Sequence, residues 1–281
     1  KKWVDKQCFL DAVDRIIGGL EKKTKLLTQA EKQTIALHEA GHATISWFLQ
    51  YANPLVKVTI VPRGQALGAA WYMPEERQIT TKEEMLDEIC ATLGGRAAEE
   101  LCTGRISTGA MNDLETVTKR AYGMIAYAGM GDNLPNLCYY NNQEYQFQKP
   151  YSEKTAELID EDVKQLIATE YERAKKVLLE HRDGHAQLAQ ILMDREVIFA
   201  EDVERIFGKR PWTSRTEEIL AANAQQNTSQ ADGTPGIGNH NEENADIIRQ
   251  KAIQAVLEKA KMEEEQQQQN DNGQYQKKEK E

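Results

Sequence analysis

Residues 28–48 read TQAEKQTIALHEAGHATISWF, and this stretch decides how the rest of the chain is interpreted. Its centre, HEAGH at residues 38–42, places two histidines four residues apart, on one face of a helix. Both imidazoles can then reach one tetrahedral metal ion, and Glu39 lies beside His38 as a candidate general base. The H-E-x-x-H pattern therefore predicts a zinc site of the kind that hydrolyses peptides, with His38 and His42 as ligands.

The same stretch carries the signals that a helix needs. Thr28 followed by Glu31 indicates a capping box at its start, and Asn53-Pro54 is a stop signal beyond its end. Apolar residues recur along it and predict a buried helix: Ile35, Ala36, Ala40, Ala43, Trp47 and Phe48. The alternative is a chance match in which the histidines are polar members of a core helix, but the cap and the interposed glutamate favour the metal site.

Composition limits the class of protein. The chain has 281 residues, 40% of them hydrophobic, which suits one substantial core. Its net charge of −10 and its lack of a sustained basic stripe disfavour nucleic-acid binding. It contains no run of about 18 apolar residues, and its charged start is not a signal peptide, so we expect this fragment to be soluble. The start also reads like the middle of a longer sequence.

The cysteine pattern is that of a reducing compartment. The chain has four cysteines, without C-x-x-C spacing and without a paired framework. We expect them to be small buried apolar residues: Cys8, Cys90, Cys102 and Cys138.

The remaining sequence predicts a mainly α fold, a zincin-type helical bundle with a small β-hairpin. Residues 55–61 alternate apolar residues with Lys57 and Thr59, as in a half-buried strand, and residues 66–73 can return as its partner. A strand edge near the metal could hold an extended peptide by pairing with it, or the hairpin could merely cover the core.

Periodicity predicts several helices after the hairpin. Thr81 with Glu84 indicates a second capping box, and Gly94-Gly95 should let another helix approach closely. Further helices are predicted from Asn112 or Asp113 to Gly129, from Ser152 to about His181, around Leu188 and around Val203.

Two further histidines, His181 and His185, repeat the four-residue spacing. Gly184 lies between them at a predicted helix break, and no glutamate follows His181. We expect both to be surface residues without a metal.

The third zinc ligand must come from a later helix. A metzincin would have Gly at position 45 and His at position 48, but these are Ile45 and Phe48. No Asp, Glu, His or Cys occurs between His42 and Glu75. The residues alone leave four acidic candidates open, namely Glu99, Glu100, Asp113 and Glu115. Glu99 and Glu100 end an amphipathic helix, where a solvated face is the default, whereas Asp113 follows a glycine-containing loop at a helix start.

Three motifs in order and spacing resemble the peptidase domain of the FtsH family: HEAGH at 38–42, LGGRAAEE at 93–100 and STGAMNDL at 107–114. The resemblance covers about residues 9–212, and the segments 149–153 and 208–212 are similar to bacterial relatives of the mitochondrial matrix-facing branch. It implies that Asp113 is the third zinc ligand, beside His38 and His42, and that Glu39 is the catalytic residue.

The resemblance also implies a larger protein. Its members are membrane-anchored, ATP-dependent zinc endopeptidases, assembled as hexamers, that degrade misfolded and short-lived membrane and soluble proteins. The sequence has neither a Walker A motif nor a transmembrane segment. We therefore expect residues 1–20 to be the end of an upstream AAA ATPase lid and residues 21–212 to be the zinc peptidase domain. ATP would be used by the upstream module, and the whole protein would lie at the inner (plasma) membrane with this domain facing the cytoplasm.

Residues 213–281 form a low-complexity tail that we expect to be mostly disordered, because it is rich in Asn, Gln, Ser and charged residues.

Two other classes of function compete with an endopeptidase. A non-catalytic helical assembly platform with a structural metal, or with none, would have no use for the general base Glu39. A helical adaptor that binds partners through its acidic tail would leave the zinc motif unexplained. We expect the enzyme to act on unfolded polypeptide substrates and to assemble as a homo-hexamer.

Overall fold

The computed structural model describes residues 27–62, 67–75, 77–139, 150–215 and 217–221. The chain divides into two compact units. In the smaller unit the described residues are 73–75, 215 and 217–221, and the Arg215 backbone N–H donates to the Glu75 carboxylate at 2.8 Å. The predicted lid fragment 1–20, Cys8 and residues 222–281 of the predicted tail lie outside the described residues.

The larger unit is mainly α-helical with a small antiparallel sheet, as predicted. Its helices and strands are α1 (Gln29–Phe48), β1 (Leu55–Thr59), β2 (Ala69–Tyr72), α2 (Lys82–Thr92), α3 (Gly94–Thr103), α4 (Met111–Tyr122), α5 (Glu153–Glu180), α6 (Arg182–Arg195), β3 (Val197–Phe199) and α7 (Ala200–Phe207). A 3₁₀ turn over Thr108–Ala110 precedes α4, and a π-helical turn over Gly123–Tyr127 follows it. In the described part of the chain, no helix is long and apolar enough to cross a membrane.

Helix α1 is the central element, because both of its faces are buried. On one side it packs against the sheet, α6 and α7, through residues that include Ala36, Ala43 and Trp47. On the other side Ile45 and residues of α2 to α5 form a second core. The predicted capping boxes are both present, with Thr28 and Glu31 at the start of α1 and Thr81 and Glu84 at the start of α2. The metal motif is therefore held in the middle of the fold.

The sheet has the strand order β2-β1-β3, so the predicted hairpin gains a third strand that periodicity did not indicate. The predicted alternation in β1 is wrong, because Lys57 and Thr59 are buried along with Val58. Strand β1 is flanked on both sides, and its pairing with β2 shifts register between Leu55 and Lys57. Because Lys57, Val58 and Thr59 point alternately to opposite faces and all three are buried, both faces of this part of β1 are covered.

The predicted break at Gly184 is also wrong. Helix α5 ends at Glu180, α6 begins at Arg182, and Gly184 lies inside α6. A Cβ at position 184 would lie 2.0 Å from Phe207 Cε1, so the glycine admits the ring of α7 rather than ending a helix.

Candidate metal centre

The metal motif is positioned by close packing of α3 against α1. A Cβ at Gly41 would lie 2.5 Å from the carbonyl oxygen of Gly94, and a Cβ at Gly95 would lie 2.3 Å from His38 Nε2. Only glycine permits these approaches, since real Cβ contacts are longer. The predicted close approach at Gly94-Gly95 is thus confirmed.

Three side chains converge on one point. His38 Nε2 lies 3.1 Å from His42 Nε2 and 3.1 Å from Asp113 Oδ2, and His42 Nε2 lies 3.5 Å from Asp113 Oδ2. Three ligands at tetrahedral positions about 2.0–2.1 Å from a zinc ion would be about 3.3 Å apart. The donor set and its spacing therefore fit zinc, and among the described residues this trio is a group that could hold a metal ion.

A second layer of contacts fixes the two imidazoles. His38 Nδ1 lies 2.8 Å from Glu99 Oε1, and His42 Nδ1 lies 3.0 Å from the carbonyl oxygen of Ala91. With Nδ1–H donating to these oxygens, each Nε2 presents a lone pair to the metal point. The Ser107 backbone N–H donates to Glu99 at 2.8 Å, and its hydroxyl donates at 3.0 Å. The expectation of a solvated Glu99 is wrong, because the side chain is buried between α1 and the α3–α4 loop.

The electrostatics are those of a preformed cation site. Burial alone would lower the pKa of His38, but hydrogen bonds to Asp113 and Glu99 outweigh it and raise the pKa to about 10. Burial would raise the pKa of Asp113, yet hydrogen bonds from His38 and His42 hold that pKa well below its usual range. Both shifts favour a negative charge on Asp113 and a positive charge beside it, as a cation site requires.

Glu39 lies on the sheet side of this centre and is buried. Burial raises its pKa, against the lowering effect of the two neighbouring imidazoles. A Cβ at Gly68 would lie 2.6 Å from Glu39 Oε1, so the chain entering β2 passes directly over the carboxylate. A group between the metal point and β2 would therefore meet Glu39.

The other acidic candidates lie elsewhere. Glu100 contacts the hydroxyl of Tyr171 on α5. Glu115 accepts a hydrogen bond from Lys119 Nζ at 2.6 Å on the exposed face of α4. Of the four acidic residues that the sequence left open, Asp113 reaches the two histidines directly and Glu99 reaches one of them from behind.

Neither of the other two described histidines, His181 and His185, joins the site. His181 stacks on Phe48, whereas His185 is buried and its Nε2–H donates to the carbonyl oxygen of Leu37 at 2.9 Å. The prediction of two surface residues is wrong for His185, because it lies on the face of α6 that packs against α1. The prediction of buried cysteines holds for Cys90 but is wrong for Cys102 and Cys138, which are exposed at the end of α3 and in the loop before α5.

Sequence reasoning missed Glu99 as a supporting residue. Its signal is weak, since buried glutamates are rare and a charged residue in an amphipathic pattern is normally solvated. The neighbouring small residues Ala97 and Ala98, which are fully buried, are the local sign that this end of α3 faces inward.

Comparisons with known proteins identify a family and several relatives. Residues 25–206 match the family described as "Peptidase family M41". The chain is 64% identical over 81% of its length to "ATP-dependent zinc metalloprotease FtsH" of Parabacteroides distasonis, covering 34% of that protein. It is 48% identical over 75% of its length to the FtsH protein of Rhodothermus marinus, covering 31% of it. It is 43% identical over 76% of its length to mouse "Mitochondrial inner membrane m-AAA protease component AFG3L2", covering 27% of it. The chain thus spans about a third or less of these relatives.

Proposed function

Because the chain belongs to peptidase family M41 and is a zinc metalloprotease, we propose that residues 21–212 form its peptidase domain and hydrolyse internal peptide bonds of unfolded polypeptides. The observation that carries the proposal is the convergence of His38, His42 and Asp113 beside a buried Glu39. In this assignment the first three residues hold one zinc ion per chain and Glu39 is the general base.

The protein contributes binding, orientation and proton transfer. Bound zinc would lower the pKa of a water molecule to about 7 and polarise the peptide carbonyl. The Glu39 carboxylate accepts the proton of the attacking water and returns it to the departing amine. Its burial raises its pKa, which increases its proton affinity for the first step. A closed structural metal site would have no use for such a base.

Strand β2 is the feature that would align the substrate. In the described residues it pairs with β1 on one side, and no strand pairs with its outer edge. Since the chain entering β2 passes over Glu39, a peptide added to that edge would run across the centre, held by main-chain hydrogen bonds that are independent of side chains. This mode suits an enzyme that degrades many unfolded sequences.

The whole protein would be larger than this chain. By analogy with its relatives, whose names include "ATP-dependent" and, for the mouse protein, "inner membrane", we extend the proposal to an upstream ATPase that uses ATP and to a membrane anchor outside this chain. The assembly would be a homo-hexamer at the inner (plasma) membrane with this domain facing the cytoplasm. Its substrates would be misfolded or short-lived membrane and soluble proteins.

The decisive experiment is Glu39→Gln, assayed on an unfolded protein substrate. The change preserves size but removes the base, so kcat should fall about 10²–10⁴-fold while zinc content stays at one per chain. His38→Ala and Asp113→Ala should lose zinc as well as activity, and Glu115→Gln, on the exposed face of α4, is the matched control. If Glu39→Gln digests the substrate as fast as the unaltered chain, the peptidase assignment fails and the assembly-platform function takes its place.

A further inference from the structure

Strand β2 lies against the metal-binding helix α1 near both of its ends. At one end, a Cβ at Gly68 would lie 2.6 Å from Glu39 Oε1. At the other, the Tyr72 hydroxyl lies 3.0 Å from Ser46 Oγ. Glu39 and Ser46 are about 10 Å apart along α1, and Gly68 and Tyr72 about 13 Å apart along an extended chain. Strand β2 therefore runs beside the HEAGH segment, in the same direction.

The Ser46 end of this contact is held by a second hydrogen bond. The Ser46 hydroxyl donates to the carbonyl oxygen of His42 at 2.8 Å, so its position is set by the same turn of helix that carries a proposed zinc ligand. Ser46 itself is 2% exposed. Burial raises the pKa of the Tyr72 phenol. Because the Ser46 proton goes to His42, the neutral phenol donates its own proton to Ser46 Oγ.

The sheet alone holds this end of β2 less firmly than the middle. Val58 and Thr59 of β1 pair in register with Ala70 and Ala69, but the register shifts between Lys57 and Leu55, the partner of Tyr72. An irregular ladder leaves part of the pairing unmade and bends the strand. The link to Ser46 supplies an anchor where the ladder is disrupted.

We propose that Tyr72 is a positioning residue for the polypeptide substrate. Its hydroxyl, through Ser46, holds the free edge of β2 in place beside α1, so that the edge is ordered for pairing with a peptide backbone. This inference rests on the proposed function, because what it aligns is the peptide that the centre would hydrolyse. The Tyr72 ring also packs into the core on the sheet side of α1, and Tyr72→Phe would retain that packing while removing the link.

The expected signature is a change in substrate binding rather than in chemistry. Main-chain pairing with β2 is made equally in the ground state and the transition state, so loosening it should raise KM and leave kcat nearly unchanged. A single hydrogen bond of this type corresponds to a rise of about two- to tenfold in KM.

The test compares two versions of one unstructured peptide with the zinc-loaded chain. One version is unmodified, and the other is N-methylated at alternate residues beside the scissile bond, so that it cannot pair fully with a strand edge. For the unaltered chain, N-methylation should raise KM. Tyr72→Phe should raise KM about two- to tenfold for the unmodified peptide and leave KM unchanged for the methylated one, with zinc content and kcat preserved.

Two variants complete the design. Ser46→Ala should behave as Tyr72→Phe does, and the double variant should be no worse than either, because both changes remove the same link. Tyr139→Phe removes a phenol hydroxyl from a ring that packs on Tyr151, away from β2, and should change neither constant.

Each other result overturns a defined part of the argument. An equal rise in KM for both peptides, or a fall in kcat together with loss of zinc, would make Tyr72 a structural residue. If the unaltered chain cleaves both peptides with the same KM, alignment by β2 is refuted while the peptidase function stands. If it cleaves neither peptide in the presence of zinc, the proposed function itself fails, and this inference with it.

Discussion

Replacing Glu99 with glutamine is expected to weaken zinc binding about 10- to 100-fold, because the residue orients a ligand without touching the metal point. In the structure Glu99 Oε1 accepts from both His38 Nδ1–H and the Ser107 hydroxyl, and Oε2 accepts from the Ser107 backbone N–H. A glutamine has one oxygen and one NH₂ group, so whichever way it is placed, a donor must face a donor.

The magnitude follows from the bonds that are lost. A hydrogen bond to a charged group contributes about 1.5–3 kcal/mol, and the variant loses one such bond outright. A 10- to 100-fold change in affinity corresponds to about 1.4–2.8 kcal/mol, which is the same range. Glu99 also raises the pKa of His38, so its removal weakens competition from the proton. Proton competition is strongest at pH 6, so its weakening there offsets part of the zinc affinity that the variant loses. The variant should therefore lose more zinc affinity at pH 9 than at pH 6.

The assay is a zinc titration of the metal-free chain against a chelator of known affinity, at pH 6 and pH 9. Glu100→Gln is the matched control, since Glu100 is the next residue of α3 but contacts Tyr171. An affinity that is unchanged within a factor of two at both pH values would refute the orienting role. A loss as complete as that of Asp113→Ala would show instead that Glu99 is itself a ligand.

Two further outcomes are expected. In the unaltered chain, zinc must displace the proton that His38 holds with a pKa of about 10. The apparent zinc affinity should therefore fall about tenfold per pH unit for each displaced proton between pH 9 and pH 6. A chelator-buffered titration that shows no pH dependence would contradict this. Gly41→Ala should lower the free energy of unfolding by about 1–3 kcal/mol or more, because its Cβ would lie 2.5 Å from the Gly94 carbonyl oxygen. Gly123→Ala, whose Cβ would have no neighbour closer than 3.9 Å, is the denaturation control and should not destabilise the chain.

The elements that sequence reasoning predicted well are those whose signals are local. Helix α1 has its capping box, its buried faces and its metal motif within the stretch 28–48, so no distant contact was needed to identify it. The second capping box and the close approach at Gly94-Gly95 are equally short-range, and both are confirmed. The hairpin strands β1 and β2 were also predicted from their own residues, although both strands are shorter than predicted.

The features that were predicted wrongly depend on contacts between distant segments. Strand β3 is three residues long and is defined by pairing with β1, more than 130 positions earlier. Lys57 is buried in the central strand, and Gly184 lies inside α6 with Phe207 of α7 in the space beside it. Helical or strand periodicity within a window of about 11–18 residues contains no information on such partners.

The metal centre also combines a part with a local sequence signal and a part that depends on distant contacts. By itself the sequence determined that His38 and His42 share a helix face with Glu39 between them, because a four-residue spacing fixes that geometry wherever the helix lies. The residue pattern alone left the third ligand open among four acidic residues, whereas the resemblance to the FtsH family implied Asp113. Packing of α3 and of the loop before α4 against α1 brought Asp113 to the histidines and buried Glu99 behind them. Only the tertiary structure shows these contacts, since the two carboxylates lie 61 and 75 positions from His38 and their meeting depends on the close approach of backbones at Gly41 and Gly94.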